Sequence, residues 1–189
     1  MHVLLENIPW MAFNVFLAVA PIGFGYLALT KKNLVVRLLS GLVWFFFLPN
    51  TIYLTTDIIH FLEDAAKTSG LFLAIDLVLY VILIILGVIT YIMAVDPFEK
   101  LLFKDKSKNE RRQNLPFIYI LNFFVGFGVV LGRVHRLNSW DIVINTDKVI
   151  YYSLETLRSV QLMILVLAFM LLSQVVYMKF RKSVPKVVF

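Results

Sequence analysis

Cysteine is absent from the 189 residues. Disulfides, thiolate nucleophiles and cysteine-ligated metals are therefore excluded as ways of holding or using this fold. Charge is also scarce, with Asp, Glu, Lys and Arg making up 16% of the chain. Long polar stretches that could form a separate soluble domain are missing, and so are internal repeats and low-complexity tracts. Neither a phosphate-binding glycine loop, a dinucleotide fingerprint, a serine elbow nor a paired-histidine zinc motif occurs.

What is present is apolar. The chain is 60% hydrophobic with a mean hydropathy of +0.85, against about 45–50% in soluble domains. The excess falls in blocks long enough to cross a bilayer, so lipid is the solvent for much of the chain. Net charge is +6, but the basic residues sit between apolar blocks. Their placement points to membrane topology and away from nucleic acid. A single polytopic membrane domain over residues 1–189 is expected.

Five segments follow from the pattern: Ile8–Leu29, Leu34–Leu54, Leu71–Ala94, Leu115–Gly132 and Val160–Tyr177. The first lacks a basic leader, and its Ala18-Val19-Ala20 is followed by Pro21, which opposes cleavage. It reads as a retained helix that Pro21 can kink. Thirteen of the eighteen Lys and Arg lie after segments one, three and five, and five lie on the other side. The positive-inside rule then places the N-terminus outside and the C-terminus inside. Between segments four and five, Thr146-Asp147 either caps a helix continuous with segment five, or Val149–Tyr152 lies along the outer interface as a short amphipathic helix. Gly128 and Gly132 form a small-xxx-small pair suited to close helix packing.

The most informative stretch is Leu48-Pro49-Asn50-Thr51-Ile52-Tyr53-Leu54-Thr55-Thr56-Asp57-Ile58-Ile59-His60. Proline breaks a membrane-grade helix, and an amide, a carboxylate and an imidazole follow within eleven residues. Polar groups at that depth are costly and usually functional. By topology, Asn14, Asn50, Asp57, His60, Asp76, Arg133 and Arg136 gather in one leaflet as an outward-facing cavity, with Asp141 at its rim. Asp57 and His60, three apart, suit a general base or a divalent-metal pair; otherwise they are an interfacial pair in water. Arg133 and Arg136 would share a helical face and clamp a phosphate, or else snorkel to headgroups. Asn50 and Asn138 would orient the anion, with Asn14, Tyr53, Asp76 and Asp141 in support. Asn138 to Asp141 also reads as a helix cap, Asp76 as a structural partner for an arginine, and Glu63-Asp64 as residues in water. His135 is set among arginines that oppose a cation.

Two strings, Leu48-Pro49-Asn50 with Tyr53, Asp57 and His60, and Gly132-Arg133 with Arg136, Asn138, Ser139, Trp140 and Asp141, resemble an uncharacterised bacterial family, domain of unknown function 1361. The resemblance covers most of the chain and implies a bacterial polytopic membrane protein, multi-pass in the cytoplasmic membrane, with no activity attached. Three functions fit: handling of a phosphate-bearing lipid headgroup or other anion, an accessory subunit with a membrane partner or a second copy, and a transporter component. The inner half of the chain is poor in polar residues, which weighs against a transport path through one copy.

Overall fold

The computed structural model describes residues 2–67, 69–103 and 108–183; the expected basic residues Lys104, Lys106 and Lys186 lie outside them, as do the side chains of Lys108, Arg111 and Arg112. The described residues form helices and no strand. In order these are α1 (His2–Thr30), α2 (Leu34–Phe47), α3 (Pro49–Thr56), α4 (Ile58–Ala65), α5 (Leu71–Phe103), α6 (Lys108–Arg133), α7 (Asp141–Ile144), α8 (Thr146–Arg158) and α9 (Val160–Phe180). Five stretches among them are long and apolar enough to cross a membrane: Glu6–Thr30, Leu34–Ala65, Leu71–Leu102, Pro116–Arg133 and Val160–Phe180. Their flanks remain exposed in large apolar side chains, such as Phe16, Leu38 and Ile85. That is the exterior expected of a multi-pass membrane protein.

Helix α1 runs through Pro21 unbroken. Helix α5 runs past Ala94, where the apolar pattern stops, to Phe103. At 1.5 Å per residue its 33 residues reach about 50 Å, beyond the ~30 Å of a hydrocarbon core. Asp96 therefore sits on the helix, buried, and not in a loop.

The second span is interrupted twice, at Leu48 and Asp57, and the sequence supplies both interruptions. Pro49 opens α3 and has no N–H to give. The carbonyls left near the break are taken up locally. Asn50 Nδ2 donates to the Phe47 carbonyl (3.0 Å) and Thr51 Oγ1 to that of Leu48 (2.7 Å). At the second interruption, Thr55 and Thr56 donate back to the carbonyls of Ile52 and Tyr53 (2.7 and 2.6 Å). Such back-bonding bends helices. The chain turns at Asp57 and continues as α4.

Helices α1, α2, α3 and α5 pack as one group, and α6 packs along α9. Glycine makes the close approaches. A Cβ on Gly126 would lie 2.5 Å from the Val166 carbonyl of α9, and one on Gly128 would lie 2.4 Å from Pro49 Cγ. Gly132, one turn on, faces the Tyr53 ring. The Gly128/Gly132 pair thus seats the broken span against α6. Helices α8 and α9 are separate, divided at Ser159, whose extended backbone breaks the helix and whose hydroxyl accepts the Leu162 N–H.

Candidate functional site

Arg133, the last residue of α6, is the centre of the polar end. One terminal nitrogen donates to Asp57 Oδ1 (2.6 Å) and Thr56 Oγ1 (2.5 Å), and to the Tyr53 carbonyl (3.3 Å). The other lies 3.0 Å from His60 Nε2. The guanidinium also rests over the Tyr53 ring, 3.9 Å from its centre. Arginine has only donors, so His60 Nε2 must accept, which leaves the ring proton on Nδ1. Asp57 Oδ2 accepts from Asn14 Nδ2 (3.3 Å). Both oxygens of Asp57 are therefore engaged, and the residue is 1% exposed. The guanidinium fills the space where Asp57 and His60 would hold a divalent metal. Among the described residues, no three metal-ligating side chains gather.

A second contact lies behind the first. Asn7 Nδ2 donates to Asp64 Oδ2 (2.8 Å) and Asp76 Oδ1 (3.2 Å). The Tyr80 hydroxyl also donates to Asp64 (2.8 Å), and Trp10 Nε1 donates to Asn7 Oδ1 (3.1 Å). Asp64 is thus buried, not in water as its neighbour Glu63 suggested. Asp76 takes Asn7 as its partner instead of an arginine. Its second oxygen, Oδ2, is buried with no partner among the described residues.

These pairs form a ladder. Asn7 and Asn14 lie seven apart on α1, and Asp57 and Asp64 lie seven apart on α3–α4. Two helical turns separate the members of each pair, so the helices bond antiparallel at two rungs: Asn14 with Asp57 and Asn7 with Asp64. The sequence held this signal as a matched heptad spacing. It is hidden because Asp64 follows Glu63 and reads with it as a pair in water, while Asn7 precedes the first apolar segment. Thr56 and Ser139 stand inside the two strings singled out above but carried no role there, and Trp10 and Tyr80 gave no sign of the partners that packing brings them.

Beside the ladder lies a partly open cavity of about 790 Å³. Its polar wall includes Asn50, Tyr53, His60, Arg136, Asn138 and Ser139. Asn50 Nδ2 donates to Ser139 Oγ (2.8 Å), tying the broken span to the loop after α6. Asn7, Asn14, Asp64 and Arg133 reach the wall as well, whereas Asp57, Asp76 and Asp141 lie behind it.

Arg133 and Arg136 do not share a helical face, because α6 ends at Arg133. Arg136 sits in the left-handed region at φ +55°, which lets the Leu137 N–H return to the Leu131 carbonyl (3.2 Å). Its side chain is exposed and makes no hydrogen bond among the described residues.

Asp141 anchors the loop, but not as the helix cap that the Asn-x-x-Asp spacing suggests, since the N-cap position of α7 falls to Trp140 without a side-chain bond. Its Oδ2 accepts the Asn138 N–H (2.7 Å) and its Oδ1 accepts from Asn145 Nδ2 (2.7 Å). The Asn138 N–H, first, and the Asn145 amide hold its carboxyl below the usual carboxylate range. His135 is spent on docking α8, stacked on Tyr152 at 4.5 Å with a nitrogen 3.2 Å from Thr156 Oγ1.

No curated protein and no solved structure matches the chain. The chain matches the family described as Protein of unknown function (DUF1361) over residues 13–176. That interval holds both the Leu48–His60 stretch and the Gly132–Asp141 string, and it shows that the chain belongs to this family.

Proposed function

We propose that the cavity binds the anionic headgroup of a membrane amphiphile, with phosphate as the fitting chemistry. The observation that carries this reading is Arg136. It is a cation at the cavity wall, held in an uncommon backbone conformation, with no side-chain partner among the described residues. Non-glycine residues in that region cost free energy and concentrate at functional sites. Asn138, Asn50 and Ser139 stand on the same wall to orient the anion. Arg133 has a different part in this reading: bound to Asp57, it fixes the site and leaves the anion to Arg136. His60 is the only member of the Asp57–His60 pair on the wall, so any proton transfer at the site falls to it.

In this reading the positive-inside count puts this end at the outer leaflet, and the bacterial cytoplasmic membrane is the one that the family resemblance implies. Helix α8 then lies along the interface, with Ile150, Tyr151, Leu154 and Leu157 exposed on it. Because cysteine is absent, Asn138→Cys and Lys31→Cys can be probed singly with an impermeant maleimide in intact cells. Labelling at Asn138→Cys alone fits the orientation; labelling at Lys31→Cys alone reverses it.

Native mass spectrometry of the detergent-purified protein tests the binding. A phosphate-bearing lipid that co-purifies with wild type and is lost from Arg136→Ala supports the reading. Equal retention by both overturns it. A second reading, an accessory subunit of a membrane assembly, is favoured by the ladder, since so many of its polar groups are spent on holding helices together. It predicts no ligand in either preparation and co-purification with a membrane partner or a second copy.

A further inference from the structure

The cavity does not end at its polar wall. Below Asn50 and Arg136 it continues between α2 and α6, past Leu48 and Val125, to Phe45, Phe46, Phe124 and Phe127. The rings of Phe45 and Phe124 meet edge to face at 5.5 Å and bridge the two helices. From Leu121 to Arg133 the lining of α6 covers about 18 Å at 1.5 Å per residue, close to the ~15 Å of one leaflet's hydrocarbon. The compartment is polar at one end, apolar at the other, and one leaflet deep.

Its side is open. Helices α1 and α6 both line it, yet they do not pack along each other. Near the polar end the gap is spanned by Phe13 of α1 and Trp140 of the loop, edge to face at 6.0 Å. Further down, the next ring bridge is Phe45–Phe124. Between the two aromatic contacts no packing of α1 on α6 closes the partly open cavity.

We infer that the occupant is an anionic amphiphile with one slender hydrocarbon chain, which enters sideways between α1 and α6 and lays its chain against the Phe45–Phe124 bridge. This rests on the headgroup reading above and extends it to the chain. The volume fits one chain. At ~30 Å³ per water-sized group, 790 Å³ holds about 26 such groups, enough for a phosphate and one chain, whereas an ordinary diacyl phospholipid has roughly twice as many heavy atoms. Straight alkyl and isoprenyl chains share this chemistry.

The test is a photoreactive alkyl phosphate with a diazirine at the chain end, added to the full-length protein in phosphatidylcholine nanodiscs. Labelled residues are mapped by mass spectrometry. Labels concentrated on Phe45, Phe46, Phe124 and Phe127 are expected. Labels spread over the outward-facing Phe16, Leu38 and Ile85 would overturn the inference. Arg136→Ala is expected to lower lobe labelling by about tenfold or more, the loss of one charged hydrogen bond. Lobe labelling undiminished in that variant keeps the chain site and rejects the headgroup reading. Unlabelled single-chain phosphate should displace the probe better than diacyl phosphatidic acid; the reverse order rejects the single chain. Whether alkyl or isoprenyl phosphate competes more strongly then names the source.

Discussion

The two ends of the bundle treat their charges differently. At the end away from the cavity, the acidic residues Asp96 and Glu99 are closed by neighbours over a short distance. Asp96 pairs with Lys100 one turn on (2.9 Å) and accepts from the Tyr26 hydroxyl. Arg181 meets Glu99 (3.7 Å) and the Tyr177 hydroxyl (2.9 Å). Deeper in, Tyr91 bonds Asn122, which donates to Gln174 (2.7 Å). At the cavity end, one arginine is fully used and its near neighbour Arg136 is not. Exposed Lys31, Lys32 and Lys182 at the first end also make no ion pair among the described residues, so what marks Arg136 is its left-handed backbone and its place on the cavity wall. The difference separates residues that maintain the structure from residues held ready for something outside it.

The sharpest way to break this comparison is to exchange the fates of the two arginines. Arg133→Ala leaves the carboxylate of Asp57 buried without its charge partner, which typically costs about 3–5 kcal/mol. A large fall in thermal midpoint in detergent is expected, with partial recovery on adding Asp57→Asn. Arg136→Ala should leave the midpoint nearly unchanged, within about 0.5 kcal/mol. If the two variants melt alike, the division of labour between them is wrong.

Packing variants come next in size. Gly128→Ala puts a methyl 2.4 Å from Pro49 Cγ, an overpacking worth about 1–3 kcal/mol. It should destabilise although it adds only one carbon. Smaller still is Arg136→Gly, which removes the side chain and relieves the left-handed backbone. A gain of about 1 kcal/mol is expected from thermal denaturation, together with lost ligand retention. A site in which stability rises as binding falls would sharpen the contrast between the ends.

The smallest effect concerns Asp141. Its carboxyl is held below its unfolded value by the Asn138 N–H and the Asn145 amide. The sign follows directly: its contribution is complete above the unfolded carboxylate value, near 4, and is lost as pH falls through the lower folded value. Thermal midpoints of wild type and Asp141→Asn should therefore differ at neutral pH and converge in acid. Midpoints that stay equally far apart below that range would count against the anchoring role.

Much of this was legible in the sequence. Apolar blocks fixed five spans because lipid enforces length and polarity together. Pro49 announced its break, and the Asn138-x-x-Asp141 spacing a contact between those two residues, though not the helix cap it suggested. What could not be read were partners brought together by packing. Asp64 looks like half of an acidic surface pair until α1 is placed against it. Arg133 and Arg136 look alike until the helix is seen to stop between them. Spacing says which residues can share a face while a helix lasts, and the end of α6 is decided by its contacts with α3 and the loop.

The two-rung ladder also has a consequence in time. Asn14 waits for a partner 43 residues later and Asn7 for one 57 residues later. At about 5–20 residues per second, a growing chain needs roughly 3–11 s to make Asp64 after Asn7. During that interval α1 carries amides that lipid cannot satisfy. Commitment of the first helix to the bilayer is thus tied to synthesis of the fourth, and a one-residue insertion between Asn7 and Asn14 would swing one rung a quarter-turn or more out of line, about 100°.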